Sequence, residues 1–202
     1  MSSGHTAAIV LAAGASRRMG ATKQLLDVAG EPMVRRAVRT ATSAGLSPVV
    51  VVVGHDEARV RVALDGMPCH VVVNAEFTGP TSTSLHAGIA ALEPGVEAFV
   101  VLLADMVRVT PAMVRALVPA PDAGSAPLAV SRYGDVLAPP LLFRRSLWPE
   151  LLAWHGEGCG KSVVRAHRHE AVMHDWPEAA LRDVDTPDDY AALLADAGDG
   201  VA

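Results

Sequence analysis

The chain has 202 residues, half of them hydrophobic but only 4% aromatic, and a formal charge of −5. A single domain spanning 1–202 is expected, its core built from Ala, Val and Leu, and a chain of this length buries about 70% of its unfolded surface without covalent staples. Two cysteines, Cys69 and Cys159, are too few for a secreted disulfide scaffold or a four-cysteine zinc site. The acidic balance argues against nucleic-acid binding, and no run reaches the roughly 18 apolar residues of a membrane span, so a cytoplasmic setting is expected.

Apolar runs alternate with helical stretches from the start. Residues 6–12, 48–54, 69–74 and 98–104 are short, valine-rich and nearly continuous in apolar character, which predicts strands buried on both faces of a parallel sheet. Between them, 32–44, 57–64 and 82–92 carry Ala, Arg and Leu at helical spacing, and Pro111 opens a fourth helix. This repetition predicts an α/β, Rossmann-like three-layer domain, with a mostly parallel twisted sheet and helices on both faces. Ligands of such sheets bind at the carboxyl ends of the strands. The loops at 13–24, 54–56, 74–84 and 104–108 are therefore the ones to read.

A turn-rich break at 119–125 separates a first half, 1–118, from a second, 119–202. Runs 127–133 and 136–143, joined by Gly134 and Asp135, predict a small β-hairpin insertion. Helices over 147–155 and 161–167, a strand at 171–174 and a closing helix after Thr186 and Pro187 complete the pattern. Charge is uneven: residues 1–40 hold six Arg and Lys against Asp27 and Glu31, whereas 170–202 hold nine acids against Arg182.

The loop after the first strand reads LAAGASRRMGATKQLL from Leu11 to Leu26. Gly14 and Gly20 free the backbone to turn and approach a ligand, Ser16 adds a hydroxyl, and Arg18 and Lys23 bring two cations into one loop. That combination suits a polyphosphate, with a basic surface turn as the bland alternative. The spacing fits neither a dinucleotide fingerprint nor a Walker A loop. Gly156 to Ser162 also fails as a phosphate loop, since His155 stands where its first glycine belongs. Cys159 reads as an inert thiol, and His167 and His169 as surface residues.

Leu11 to Lys23 resembles the signature L-A-[AG]-G-x-S-x-R-M-G-x-x-K of the MobA-like nucleotidyltransferases. Asn74, the segment Ser82 to Gly88, Asp105 and the segment Asp183 to Tyr190 support it, the last being similar to the closing motif of the molybdenum cofactor cytidylyltransferase branch. The resemblance implies the nucleotide-diphospho-sugar transferase type of fold and transfer of a nucleotidyl group to a phosphorylated acceptor, such as molybdopterin, with release of pyrophosphate. It places Leu11, Ala12, Ala13, Gly14, Ser16 and Gly20 around the nucleotide, Arg18 and Lys23 on its phosphates, and Mg2+ on Asp105. Ala13 at the third motif position implies CTP rather than GTP. Asn74, Ser82 and Ser84 would approach base and ribose, or else serve as a turn residue and helix caps. Lys161 would meet an acceptor phosphate or open a helix, and Asp185 would be a second metal carboxylate or part of a capping turn.

Three segments depart from the cytidylyltransferase pattern. Asp105 is followed by Met106 and Val107 instead of Gln-Pro, Pro80 and Thr81 replace Gly-Met, and Ala138, Pro139 and Pro140 replace G-[HN]-P. A proline at 80 or 139 removes a backbone donor. The expectation is an enzyme with an altered acceptor; the alternative is a non-catalytic carrier delivering molybdenum cofactor to a molybdoenzyme. An oxidoreductase is disfavoured by the missing dinucleotide fingerprint.

Overall fold

In the computed structural model, which describes residues 5–119 and 126–198, the four apolar runs of the first half become β1 (His5–Ala12), β2 (Val49–Val53), β3 (His70–Val73) and β4 (Val96–Leu103). They lie parallel, β1 between β2 and β4, with β3 at the outer edge. All five valines of β2 are buried, as expected for a strand covered on both faces.

Side chains alternate between the two faces. Ala8, Val10 and Ala12 point into one core with α1 (Met33–Ser43), α2 (Glu57–Ala63) and α4 (Pro111–Leu117). Ala7, Ile9 and Ala13 point into the other with α3 (Thr81–Ala90), α5 (Trp148–Ala153) and α6 (Cys159–Ala166). This period of two is what later sends Leu11 and Ala13 toward one cavity and Ala12 away from it.

The hairpin β5 (Leu128–Tyr133) and β6 (Val136–Arg144) forms as predicted, but β6 inserts antiparallel beside β4 and so becomes an interior strand of a seven-stranded sheet. The order is β3-β2-β1-β4-β6-β5-β7, with β7 (Val172–Trp176) parallel to β5 at the far edge. The β5–β6 register slips between Val130 and Ser131, which face Leu141 and Ala138. Pro139 and Pro140 occupy that bulge, where a residue without an N–H breaks no ladder bond. The Tyr133 hydroxyl donates to the Pro139 carbonyl at 2.9 Å, and burial pushes its pKa up to about 12. Of the turn-rich break at 119–125, all but Pro119 lies outside the described residues.

α7 (Pro187–Gly198) starts with a reciprocal cap: Thr186 Oγ1 accepts from the Asp189 N–H at 3.2 Å, and Asp189 accepts from the Thr186 N–H at 2.8 Å. Its Leu193 and the preceding Val184 join Met19, Val28, Met33 and Val107 in a third, smaller core. That cluster pins the first loop, the segment after β4 and the end of the chain to each other. Among the described residues no helix is long and apolar enough to cross a membrane.

Candidate active site

The glycine loop is held open by its own side chains. Gln24, 3% exposed, donates from Nε2 to the Gly14 carbonyl at 2.9 Å, and Ser16 Oγ accepts from the Lys23 N–H at 3.2 Å. Ser16 and Gly20 adopt left-handed backbone, φ 50° and 70°, so the chain reverses twice within five residues. Thr22 ties the far side to Asp56 at 2.6 Å, and Met19 plugs into the third core. Neighbouring residues are aimed by that plug: Arg18 precedes Met19 as Asp185 follows Val184, and Arg18 donates to Asp185 at 2.7 Å.

Four sequence-predicted residues thus converge. Lys23 Nζ forms an ion pair with Asp105 and a second with Asp185 at 2.9 Å, its side chain and that of Asp105 each 15% exposed. Burial alone would lower the Lys23 pKa, but the Asp105 and Asp185 carboxylates outweigh it and the net shift is upward. The Lys23 hydrogen bond, reinforced by Arg18, holds Asp185 below the usual carboxylate range. Asp185 therefore turns its side chain to Lys23 while its N–H donates to Asp189 at 3.2 Å, so it also belongs to the capping turn with Thr186 and Asp189.

Asp183, not singled out by its sequence, belongs to the same charged group. It is exposed as a residue, yet desolvation of its carboxyl, followed by the charges of Asp105 and Asp185, pushes its pKa up to about 6 against the pull of Lys23 and Lys161. Solvent screens part of this field. Between the ordinary value of 3.8 and about 6 the folded chain retains a proton that the unfolded chain has released. Asp183 hence favours folding below that window, and the contribution is lost as pH rises through it. Asp183→Asn is expected to flatten this segment of the stability profile, read by urea unfolding at pH 4, 5, 6 and 7; an unchanged slope would exclude Asp183 as its source.

Beside the charged group lies a cavity of about 250 Å³ whose walls include Leu11, Ala13, Gly14, Phe77, Pro80, Ser84 and Asp105. Ala12 is buried on the opposite sheet face. Asn74 and Ser82 do not line the cavity. Asn74, 4% exposed, donates to Thr83 and Ser84 at 2.9 Å each and accepts from the Glu76 N–H, so it fastens the 74–84 loop to α3. Ser82 accepts from the Gly156 N–H at 3.2 Å. For Asn74 these contacts match the turn role that the sequence offered beside contact with base and ribose, while Ser82 ties the start of α3 to the 156 turn. Lys161 stands apart, on α6, lining a different pocket. Burial pushes the Cys159 thiol up to about 11 and it donates to the Leu151 carbonyl, as an inert thiol should.

Gly54 and Phe77 were also missed. A Cβ on Gly54 would collide with Phe77 and stand 3.0 Å from the Ala13 carbonyl, so only glycine lets the aromatic ring close that wall. Gly54→Ala is expected to cost about 1–3 kcal/mol by overpacking, measured by chemical denaturation, and to weaken nucleotide binding as Phe77 is displaced. The departures at Met106 and Val107 have a packing reason: both are buried, in the first and third cores. Pro80 lies on the cavity wall, and its carbonyl accepts from Thr83 at 2.9 Å.

Among the described residues no three His, Cys, Asp or Glu side chains converge into a ready cage. Mg2+ does not require one: it favours one or two carboxylates with water and phosphate completing its shell, and Asp105 with Asp185 supplies such hard oxygen donors.

A loop that turns twice on left-handed residues, two cations and the carboxylate that follows the neighbouring strand β4 form one arrangement. Over 94% of the chain, PucB, a purine catabolism protein of Bacillus subtilis, is 29% identical, with 96% of its own length covered. The crystal structure of Rv0371c from Mycobacterium tuberculosis is 30% identical with a TM-score of 0.79, covering 95% of this chain and 98% of that one, and a manganese complex of that protein aligns at 0.73. The bifunctional protein GlmU of Sorangium cellulosum is 34% identical over 132 residues, and the chain spans only 28% of its length. Residues 8–172 match the MobA-like NTP transferase domain, and the chain belongs to that family of nucleotidyltransferases.

Proposed function

We propose that the protein is a Mg2+-dependent cytidylyltransferase that transfers CMP from CTP to a phosphorylated acceptor such as molybdopterin. The observation that carries this reading is Lys23 held between Asp105 and Asp185 at the mouth of the cavity lined by Ala13 and Gly14. Residues 1–118 would bind the nucleotide and 119–202 the acceptor. A bound triphosphate would offer Lys23 and Arg18 phosphate oxygens in place of their carboxylate partners, and Asp105 with Asp185 would hold the ion. The bound ion supplies Lewis-acid polarisation of the phosphoryl group. An oxygen of the acceptor phosphate attacks the α-phosphorus, and the bond to the bridging oxygen breaks as its electron pair leaves on pyrophosphate. No general base is needed, because the nucleophile is already anionic near neutral pH; positioning and charge neutralisation do the rest.

Ala13 on the cavity wall supports CTP through the family pattern. A similar protein, Rv0371c, was crystallised with manganese, which agrees with a divalent ion at the site. Pyrophosphate release measured with CTP, GTP and ATP, Mg2+ and molybdopterin tests the reading, with CTP expected to be fastest. A second reading, a carrier without turnover, draws on Pro80, whose ring removes a donor from the cavity wall. Nucleotide binding with no pyrophosphate from any of the three would establish the carrier.

A further inference from the structure

In the second half of the chain, α6 and β6 enclose a pocket of about 170 Å³ lined by Leu137, Leu141, Val164, Lys161, Arg165 and Arg168. The pocket is half grease and half positive charge. In a chain of net charge −5, three cations gather along one face of α6 and the turn after it, and none forms a direct ion pair among the described residues, Lys161 acting on Asp183 only at longer range. Elsewhere most arginines of the described surface are paired: Arg39 with Glu31, Arg61 with Glu57, Arg132 with Asp175. Unneutralised cations over an apolar floor are the arrangement that a ligand with an apolar or planar body and an acidic end would complete.

Its position follows from the sheet. β6 runs antiparallel to β4 with Val101 opposite Leu141, so the part of β6 before its proline bulge, Leu137 included, lies toward the carboxyl end of β4, the end that carries Asp105. Leu137 and Leu141 face the same side of the sheet as Leu11 and Ala13. The nucleotide cavity and this pocket therefore draw on the same face of the sheet, and Lys161 is near enough to Asp183 to ease its ionisation. The volume is well below the roughly 300–1,000 Å³ of a complete ligand site, as befits a subsite for one end of a molecule.

Resting on the nucleotidyl-transfer reading, we propose that this pocket holds the non-reacting end of the acceptor, and that the acceptor is a planar or apolar phosphate ester carrying a second acidic group. Lys161 meets the phosphate that reacts, Leu137 and Leu141 carry the body, and Arg165 and Arg168 clamp the second acid. The specificity residues of the acceptor are thus Arg165 and Arg168.

Calorimetric titration of the full chain with phenyl phosphate and with 4-carboxyphenyl phosphate, in the presence and absence of CTP and Mg2+, tests this. The wild type is expected to bind the carboxylated probe about tenfold more tightly. In the Arg165→Gln/Arg168→Gln variant the two affinities should fall within about twofold of each other, with CTP binding unchanged, because both side chains are exposed and outside the nucleotide cavity. Equal affinity of the wild type for the two probes, binding of neither, or a preference that survives the double substitution overturns the proposal. Since the preference is also read without nucleotide, a chain that keeps it but fails to bind CTP would defeat the nucleotidyl-transfer reading and leave the pocket assigned.

Discussion

Asp105→Ala is expected to lower kcat about a thousandfold or more while leaving a folded, nucleotide-binding protein. The carboxylate stands at the end of β4, one bond from Lys23, and in the proposed reaction it holds the ion that polarises the α-phosphate. Such polarisation contributes several kcal/mol to transition-state stabilisation, which corresponds to about three orders of magnitude in rate. The fold should survive, because Asp105 contributes no core contact and Lys23 keeps its second partner, Asp185, at 2.9 Å. Single-turnover pyrophosphate release gives the rate, and circular dichroism with thermal melting gives the fold. An unchanged rate would remove Asp105 from the chemistry.

Lys23→Ala should affect both activity and stability. Removing a preorganised cation aimed at developing charge costs about a hundredfold to a thousandfold in kcat. The resting protein also loses the cation that Asp105 and Asp185 share and that offsets Asp183. Three acidic groups then face each other in a half-desolvated site, and the expected loss is about 2 kcal/mol of stability near neutral pH. The sign with pH follows from linkage: without Lys23 the carboxylate pKa values rise, so the penalty is present when they are ionised and shrinks as acid protonates them. Mg2+ should restore the variant's thermal stability more than it raises that of the wild type. Melting curves with and without Mg2+ at pH 5 and pH 7.5 decide this, and a variant melting like the wild type throughout would show that the ion pairs do not stabilise the resting site.

The parts of this molecule that follow from local chemistry could be read in advance. β1, β2 and β4 are short, nearly continuous apolar runs buried on both faces, a pattern that points to interior strands of a parallel sheet. The loop from Ala13 to Gln24 could be read because glycines, a serine and a lone lysine in an arginine-favouring chain have few structural uses together. Long-range placement could not. Nothing in residues 136–144 says that β6 will pair with β4, since a hairpin needs only its own two strands and the outer partner depends on the whole sheet. Asn74 illustrates a subtler limit: a buried amide at a strand end serves equally to bind a base or to satisfy Thr83, Ser84 and the Glu76 N–H, and only coordinates distinguish the two. Asp183 escaped notice because its perturbation comes from residues remote in sequence, chiefly crowding followed by Asp105.

Lys23 draws one of its counter-charges from a position 162 residues further along the chain. A polypeptide still emerging from the ribosome therefore carries its phosphate-seeking loop long before Asp185 has been synthesised. The sheet has its β1–β4 portion early, but the Lys23–Asp185 ion pair forms only once the turn before α7 has been made. Cleavage near Arg182 would remove Asp185 and with it one of the two carboxylates on Lys23, while the residues packed on both faces of β1–β4 stay in the remaining chain.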